Sequence, residues 1–300
     1  MNVQSKIGDR SSSVMLEGGA TGFLLMHGLG GTPVELRFVA QGLNRAGYTV
    51  MCPQLAGHGG SDELLNTATW HDWLAGAETA FDELRKRCDH VIVGGLSAGS
   101  IVSLHLAAKR RSEIAGLTLF SPTFWPNGWA MPWYSILFRL IRHKAVANLF
   151  RSRVQAPYGI KDERIRRFVL ETLQSEGRRL DDAFSRRGGT VWEFKMMAAA
   201  AKKILARIDK PALICHARQD DQSDLSNAVR LMRHLRGPVE AVVLDDCYHM
   251  VTLDRQRTQI VDRTVAFADR LIESLELQRQ REGSADQAAP SRVPGRPLTA

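Results

Sequence analysis

A serine at position 97 lies in the pattern Gly-x-Ser-x-Gly, between an apolar run and a stretch of small and apolar residues. That order predicts a buried strand, a sharp turn and then a helix, which is the setting of a nucleophile elbow. Such a turn holds the serine in a strained backbone conformation, and side chains in place of Gly95 and Gly99 would collide with the neighbouring strand and helix. The positive end of the helix dipole then points at the serine. We predict that Ser97 is a nucleophile that becomes acylated by its substrate.

The base that activates this serine is expected to be a histidine that follows it, because elbow enzymes carry their partners in the order serine, acid, histidine. Two histidines follow the candidate acids, and of these His234 lies in a helical pattern whereas His249 follows a strand-like run. A loop at the carboxyl end of a strand can face Ser97, so we predict His249 as the general base and acid. His58 and His71 precede the serine, and we expect of them at most a role in shaping the substrate pocket.

The acid that orients the histidine is sought among three aspartates, Asp220, Asp221 and Asp224. They follow the apolar run at 212–215 and so come at the carboxyl end of another strand. A carboxylate in that place holds the imidazole in the tautomer that accepts the serine proton. We predict Asp220 as this acid, with Asp221 and Asp224 as its alternatives.

A glycine-rich segment at 27–31 directly follows the apolar run at 23–26. Such a turn can leave a backbone N–H unpaired and directed at a substrate oxygen, as an oxyanion hole requires. We predict that the hole is formed by the N–H groups of Leu29 and of Ala98, the residue after the nucleophile; loss of one such donor costs about 3 kcal/mol. An ordinary glycine-rich turn is the alternative.

Short apolar runs alternate along the chain with segments of helical periodicity. The runs are rich in Val, Ile and Leu and end at Gly, Pro, Asp or His, which is typical of buried strands. Strict alternation indicates an α/β fold with a mainly parallel, doubly wound sheet, whose ligands bind at the carboxyl ends of the strands. Strands are predicted at 23–26, 48–52, 90–93, 117–120, 212–215 and 242–244, and helices at 33–45, 69–87, 98–109, 225–235 and 255–275.

The alternation stops between Ser121 and about Ile208, where helical segments occur at 133–149 and 162–173 without a strand-like run. We interpret this part as a helical cap that is inserted into a single core domain. Both ends of the chain lack apolar periodicity. The predicted organisation is a flexible N-terminus at 1–16, a core at 17–121 and 207–281, a helical cap at 122–206 and a disordered tail at 282–300.

The composition narrows the class of protein. Hydrophobic residues make up 44% and charged residues 24% of the chain, as in ordinary globular proteins. The net charge of +8 has no accompanying nucleic-acid motif, so no nucleic-acid partner is expected. Paired cysteines, His-Glu-x-x-His and a dinucleotide-type glycine motif are missing, so neither a metal nor a cofactor is expected.

Because no apolar stretch has the length of a membrane span and the start lacks a signal-peptide pattern, we expect a cytoplasmic protein.

Four parts of the sequence carry a family resemblance. They are 24–33, 47–50 together with 55–59, 94–99 and 248–254. Taken together they resemble bacterial carboxylesterases and monoacylglycerol lipases of the α/β-hydrolase superfamily, over roughly 22–275 apart from the cap. In that family the histidine segment reads His-x-x-x-Leu-Asp and the acid lies in Arg-x-Asp. The second pattern matches Arg218-Gln219-Asp220 and favours Asp220 over Asp221.

The resemblance implies a serine hydrolase that cleaves carboxylic esters of medium- or long-chain acyl groups through an acyl-enzyme. One alternative keeps the acyl-enzyme but takes the acyl chain from a thioester on coenzyme A or a carrier protein, whose negative charges the basic cap would attract. A non-enzymatic alternative is an inactive hydrolase fold that binds lipid.

The cap departs from the resemblance because it is longer and more basic than the small caps of these enzymes. It begins with Trp125, Trp129 and Trp133, followed by an apolar and cationic stretch up to Lys144. This composition suits a cap that packs its apolar face over the site, and it also suits peripheral contact with an anionic membrane. Both interpretations indicate an apolar acyl chain on a small-molecule or lipid ester.

Overall fold

The protein is built on a central sheet whose strands alternate with helices along the chain. The computed structural model describes residues 13–175 and 184–287. The strands in these ranges are β1 (Val14–Leu16), β2 (Thr21–Met26), β3 (Thr49–Cys52), β4 (His90–Leu96), β5 (Gly116–Phe120), β6 (Arg151–Arg153), β7 (Ser185–Arg187), β8 (Ala212–Ala217) and β9 (Val239–Leu244). Seven of these described strands form one sheet, in the order β1-β3-β2-β4-β5-β8-β9. Neighbouring strands in that sheet are parallel except for the edge pair of β1 and β3.

Helices cover both faces of the sheet. They are α1 (Arg37–Arg45), α2 (Asp62–Thr67), α3 (Trp70–Arg85), α4 (Ala98–Lys109), α5 (Lys144–Ala147), α6 (Glu163–Ser175), α7 (Gly188–Ile204), α8 (Ser226–His234) and α9 (Arg257–Gln287). One apolar layer joins the sheet to α3, α4, α7 and α8, with Trp73 and Phe81 among its largest side chains. The other layer joins the sheet to α1 and α9, around Leu43 and Ile260. The predicted α/β class with a mainly parallel, doubly wound sheet is therefore confirmed.

Two predicted termini differ from the structure where it describes them. The N-terminus was expected to be flexible through residue 16, yet β1 pairs antiparallel with β3 and Val14 lies opposite Cys52. Three residues at a sheet edge are too short to show a periodic pattern, which is why the sequence did not reveal this strand. At the other end α9 continues to Gln287, beyond the predicted start of the tail at 282. The remaining parts of both predictions, 1–12 and 288–300, lie outside the described residues.

The insertion between β5 and β8 is less helical than expected. The predicted helix at 133–149 is instead a 3-10 segment, Trp133–Leu140, followed by the single turn of α5. No residue of Trp133–Leu140 is buried, so packing does not stabilise a longer helix there. The strands β6 and β7 pair with each other as a small antiparallel sheet. Their sequences, Arg-Ser-Arg and Ser-Arg-Arg, carry no apolar signal.

Helix α7 packs on the core although it lies inside the segment predicted as cap. Phe194, Met197 and Ala201 belong to the apolar layer that contains α3 and α4. The small buried residues Ala198 and Ala201 allow close packing against α4. We propose that the cap ends near Arg187 rather than at 206, and that the core resumes with α7.

None of the helices in the described part of the chain is long and apolar enough to cross a membrane.

Candidate active site

The elbow at Ser97 joins β4 directly to α4. Ser97 has φ 55° and ψ −113°, a conformation that costs a residue with a side chain about 1–3 kcal/mol. The neighbouring backbone enforces it, because a Cβ at Gly95 or at Gly99 would overlap the carbonyl oxygen of Met26 on β2. Glycine at these two positions thus lets β2, the turn and α4 approach one another closely. The serine is left at the carboxyl edge of the sheet, at the start of α4.

His249 and Asp220 form a buried pair on the loops after β9 and β8. The Nδ1 atom of His249 lies 2.8 and 3.0 Å from the two carboxylate oxygens of Asp220. Asp220 is held in turn by the backbone N–H groups of Gln222, at 2.9 Å, and Ser223, at 2.7 Å. A carboxylate on Nδ1 favours the tautomer whose Nε2 is free to accept a proton. The pair can therefore act as an oriented base.

The electrostatic surroundings of His249 favour its protonated form. Burial by itself would lower the pKa of the imidazole, but the negative charges of Asp220, Asp221 and Glu35 outweigh burial and raise the pKa above 6.5. The same negative charges would stabilise the imidazolium that forms when His249 takes the proton of the serine.

Ser97 and His249 open onto the same cavity, although the serine hydroxyl is turned to another partner. Ser97 Oγ donates to Thr123 Oγ1 at 3.3 Å, and Thr123 in turn donates to the carbonyl of Ser121. Catalytic hydrogen bonds are often long or missing until substrate is bound, so this arrangement is compatible with transfer of the serine proton to His249. Thr123 was not predicted from the sequence. Its position just beyond the carboxyl end of β5, at the same edge as Ser97, is the signal that could have found it.

The predicted oxyanion donors lie on either side of the elbow. Among the described residues, neither the Leu29 N–H nor the Ala98 N–H has a hydrogen-bond partner. The loop of Leu29 is fixed by buried His27, whose Nδ1 lies 2.9 Å from the Gly28 carbonyl and whose Nε2 accepts the Leu55 N–H at 3.2 Å. Burial lowers the pKa of His27 to about 4, so the ring stays neutral at neutral pH. The loop can thus present a fixed donor to a substrate oxygen.

Two charged side chains that the sequence did not reveal hold the glycine-rich loop at 27–31, which is called the oxyanion loop after its predicted role. Glu35 accepts the Gly28 N–H at 2.9 Å, and Arg186 on β7 donates to the Gly30 carbonyl at 2.9 Å. Gly30 has φ +72°, and a Cβ there would overlap the guanidinium of Arg186. Burial raises the pKa of Glu35 to about 6, against the opposing effects of the Gly28 N–H and of Arg186. Arg186 therefore connects the cap to the oxyanion loop.

The alternatives to Asp220 have other contacts. Asp221 accepts the N–H of Gly159 at 2.8 Å and the backbone N–H of His249 at 3.3 Å, so it supports the loops rather than the imidazole. Asp224 accepts the Ser226 N–H at the start of α8.

The histidines that were set aside lie apart from the reactive groups. His58 is buried, with its ring 4.7 Å from that of His27 and 5.5 Å from that of Trp73. His71 stacks on Trp70 at 3.8 Å, and His234 lies on the exposed side of α8. None of the three lines the cavity at Ser97 in the described part of the chain.

The cavity above the reactive groups has a volume of about 320 Å³. Its polar lining includes Ser97, His249, Thr123 and Glu35. The rest is mainly apolar and comes from both the core and the cap. These apolar residues are Leu29, Val34, Leu96, Ala98, Pro126, Met131, Val154, Ile160, Val169, Leu173, Phe184, Val191, Phe194, Met250 and Leu253. The site can therefore hold an apolar group next to a serine nucleophile.

Residues 21–256 match the family described as serine aminopeptidase, S33. The match covers well over half of the chain and includes Ser97, Asp220 and His249. The chain belongs to this hydrolase family.

Individual relatives agree with the family. The chain is 28% identical over 252 residues to the thermostable monoacylglycerol lipase of Bacillus sp. strain H-257, which covers 84% of this chain and 91% of that enzyme. Among solved structures, it is similar to a metagenome-derived lipolytic enzyme of the LipS and LipT pair, at a TM-score of 0.72 and 26% identity, over 87% of this chain and 98% of the other. A soluble variant of the Saccharomyces cerevisiae monoglyceride lipase has the same fold, with a TM-score of 0.68 at 17% identity over 86% and 91% of the two chains.

The predicted resemblance to carboxylesterases and monoacylglycerol lipases of the α/β-hydrolase superfamily is thus confirmed, and with it the class of hydrolase. The roles of Ser97, Asp220, His249, Leu29 and Ala98 stay predictions, which the geometry above supports.

Proposed function

We propose that this hydrolase cleaves carboxylic esters of medium- or long-chain acyl groups through an acyl-enzyme on Ser97. The observation that carries the proposal is the meeting of three features at one apolar cavity: the strained elbow serine, the buried His249–Asp220 pair, and the N–H groups of Leu29 and Ala98, which have no hydrogen-bond partner among the described residues.

The reaction follows from these positions. Ser97 Oγ attacks the ester carbonyl carbon while His249 Nε2 takes the hydroxyl proton. The carbonyl oxygen becomes an oxyanion, which the N–H groups of Leu29 and Ala98 stabilise. When the C–O bond breaks, His249 returns the proton to the leaving alcohol. A water molecule, deprotonated by His249, then attacks the acyl carbonyl carbon; the bond to Ser97 Oγ breaks, His249 gives the proton to Oγ, and the acid is released.

The nature of the acyl group is inferred from the cavity and from the relatives. A mainly apolar lining favours an alkyl chain over a polar acid, because burial of each CH₂ group contributes about 0.8 kcal/mol. The relatives named above include two lipases for monoacylglycerol, whose acyl chains are of this kind. Although the family description names an aminopeptidase, these relatives support an ester substrate. A thioester on coenzyme A or a carrier protein is the second candidate.

Peripheral membrane contact and a cytoplasmic location stay predictions. The first is favoured by the 3-10 segment of the cap, where Trp133 is 83% exposed and Leu140 is 76% exposed next to Arg139 and Arg142. Exposed apolar side chains beside cations are typical of proteins that adsorb to anionic lipid.

The proposal is tested by active-site labelling with a fluorophosphonate probe, followed by intact-protein and peptide mass spectrometry. We expect one covalent adduct, on the peptide that contains Ser97, and loss of hydrolysis of a medium-chain nitrophenyl ester in step with labelling. Ser97→Ala should abolish both. Ser152→Ala is a matched control, since Ser152 also lines the cavity but does not lie in the elbow. Folded wild-type protein that takes up no probe and hydrolyses no ester would contradict the proposal.

A further inference from the structure

A basic groove lies beside the active-site cavity, between the cap and the helices α7 and α8. Its volume is about 680 Å³, roughly twice that of the cavity at Ser97. Four cationic side chains line it: Arg139 from the cap, Lys195 and Lys202 from α7, and Arg230 from α8. The described residues that line this groove include no Asp or Glu.

No carboxylate among the described residues neutralises the charges of the groove. Lys195 Nζ donates to the carbonyls of Arg139, at 2.8 Å, and Ile141, at 2.6 Å, which are uncharged acceptors. Lys202 Nζ lies 5.9 Å from the ring centre of Phe124. In the described part of the chain, no carboxylate lies within ion-pair distance of Arg139, Lys202 or Arg230.

The cations are also close enough to repel one another. Burial, followed by the charges of Arg230 and Arg139, lowers the pKa of Lys202. Burial and the charge of Arg139 lower the pKa of Lys195. Positive groups that are gathered without an acidic partner would be stabilised by an anion with several oxygens, for which phosphate is the ordinary biological example.

The groove adjoins the site of the reaction. Pro126 and Met131 line both the groove and the cavity at Ser97, so the two spaces share this segment as a wall. The segment is anchored to the loop of the predicted acid, because Gly128 donates to the Gln222 carbonyl at 2.9 Å and Ala130 donates to the Asp221 carbonyl at 2.9 Å. A ligand that extends from Ser97 past Met131 would place its distant end among the cations.

We propose that the groove binds the phosphate-bearing leaving group of the acyl substrate while the acyl chain lies in the cavity at Ser97. The inference rests on the proposed acyl transfer to Ser97, and it adds the chemical class of the leaving group. Trp125 and Trp133 also border the groove and offer aromatic faces next to the cations. Two sources share this chemistry, an acylated glycerol phosphate and an acyl thioester of coenzyme A.

The test compares three substrates with the same acyl chain: the monoacylglycerol, the acylglycerol phosphate and the acyl-coenzyme A. We expect kcat/KM for at least one phosphorylated substrate to exceed that of the neutral one at low salt, and the ratio to fall as salt is added. Lys202→Gln and Arg230→Gln should each reduce this ratio about tenfold, the effect of losing one charge-assisted contact. Lys203→Gln is the matched control, because Lys203 is exposed on the same helix but does not line the groove.

A second measurement does not depend on turnover. Binding of glycerol phosphate and of coenzyme A to Ser97→Ala protein is measured by calorimetry, with and without the two groove substitutions. Binding that Lys202→Gln weakens and Lys203→Gln does not supports the groove, even if no substrate is hydrolysed and the proposed function fails. The inference would be overturned if the Lys202→Gln and Lys203→Gln proteins bound the two ligands equally well, or if neither ligand bound. It would also be overturned if active protein showed no preference for phosphorylated substrates. Whichever phosphorylated ligand responds identifies the source.

Discussion

Helices α4 and α6 both border the candidate site, yet they are packed in opposite ways. In α4, which begins directly after Ser97, ten of the twelve residues are buried. In α6, which contributes Val169 and Leu173 to the cavity, no residue is buried. Phe168 of α6 is 69% exposed.

This difference separates the reactive groups from the groups that shape the pocket. Ser97, Asp220 and His249 are held by buried strands, by backbone N–H groups and by glycines that admit no side chain. The wall formed by the cap has few such constraints. Some residues of the cap are nevertheless held by the core: Arg186 donates to the oxyanion loop, and Gly159 donates to Asp221. We therefore expect substitutions in the core to change the rate of chemistry, and most substitutions in the cap to change substrate choice.

The largest expected effect is on the core side, at Asp220. Asp220→Asn keeps the shape of the side chain but places an amide next to His249 Nδ1, so the required tautomer is lost. We expect kcat to fall about 10⁴-fold with little change in thermal stability. Steady-state kinetics with a short-chain nitrophenyl ester provide the measurement. Asp221→Asn is the control and should cost far less, since the hydrogen bonds that Asp221 accepts from the described residues come from the backbone N–H groups of Gly159 and His249; an equal loss would contradict the choice of acid.

A smaller effect is expected where the cap reaches the core. Arg186→Gln removes the guanidinium that donates to the Gly30 carbonyl, so the Leu29 N–H loses part of its support. We expect kcat on a short-chain ester to fall about tenfold, or ~1.4 kcal/mol, with KM nearly unchanged. Phe168→Ser, an exposed position on α6, should change kcat on that ester less than twofold. If Arg186→Gln also changed kcat less than twofold, Arg186 would not support the oxyanion loop and would affect catalysis no more than the rest of the cap.

The smallest effect is a shift in pH dependence. His249 must be neutral to accept the serine proton, so kcat/KM should fall as the pH drops below its raised pKa. Glu35→Gln removes one of the negative charges that raise this pKa, and the acidic limb of the profile should therefore move to lower pH. The profile is measured with the same short-chain ester. Glu83→Gln, an exposed carboxylate on α3, should leave the limb in place. A shift to higher pH in the Glu35 variant would contradict this account.

Much of the core could be read from the sequence because buried parallel strands and their helices have strong, repeated apolar patterns. The six predicted strands all occur, and α4 begins and ends where its sequence predicts. The cap could be predicted only in part. Its helix α6 occurs where the segment 162–173 predicts it. Its 3-10 segment and its two Arg-rich strands bury little, so their residues carry no period that distinguishes one structure from another.

The sequence by itself determined which residues come at the ends of strands, and so brought Ser97, Asp220 and His249 into consideration together. Parallel strands place their carboxyl ends at one edge of a sheet, which makes such a prediction possible without coordinates. The family pattern Arg-x-Asp favoured Asp220 over Asp221, but only the tertiary structure shows which of the two reaches His249, because neighbouring residues in a loop point in different directions. Thr123, Glu35 and Arg186 make contacts with residues that are distant in the sequence. Local sequence spacing cannot predict such contacts, because they depend on how the loops and the cap fold over the site.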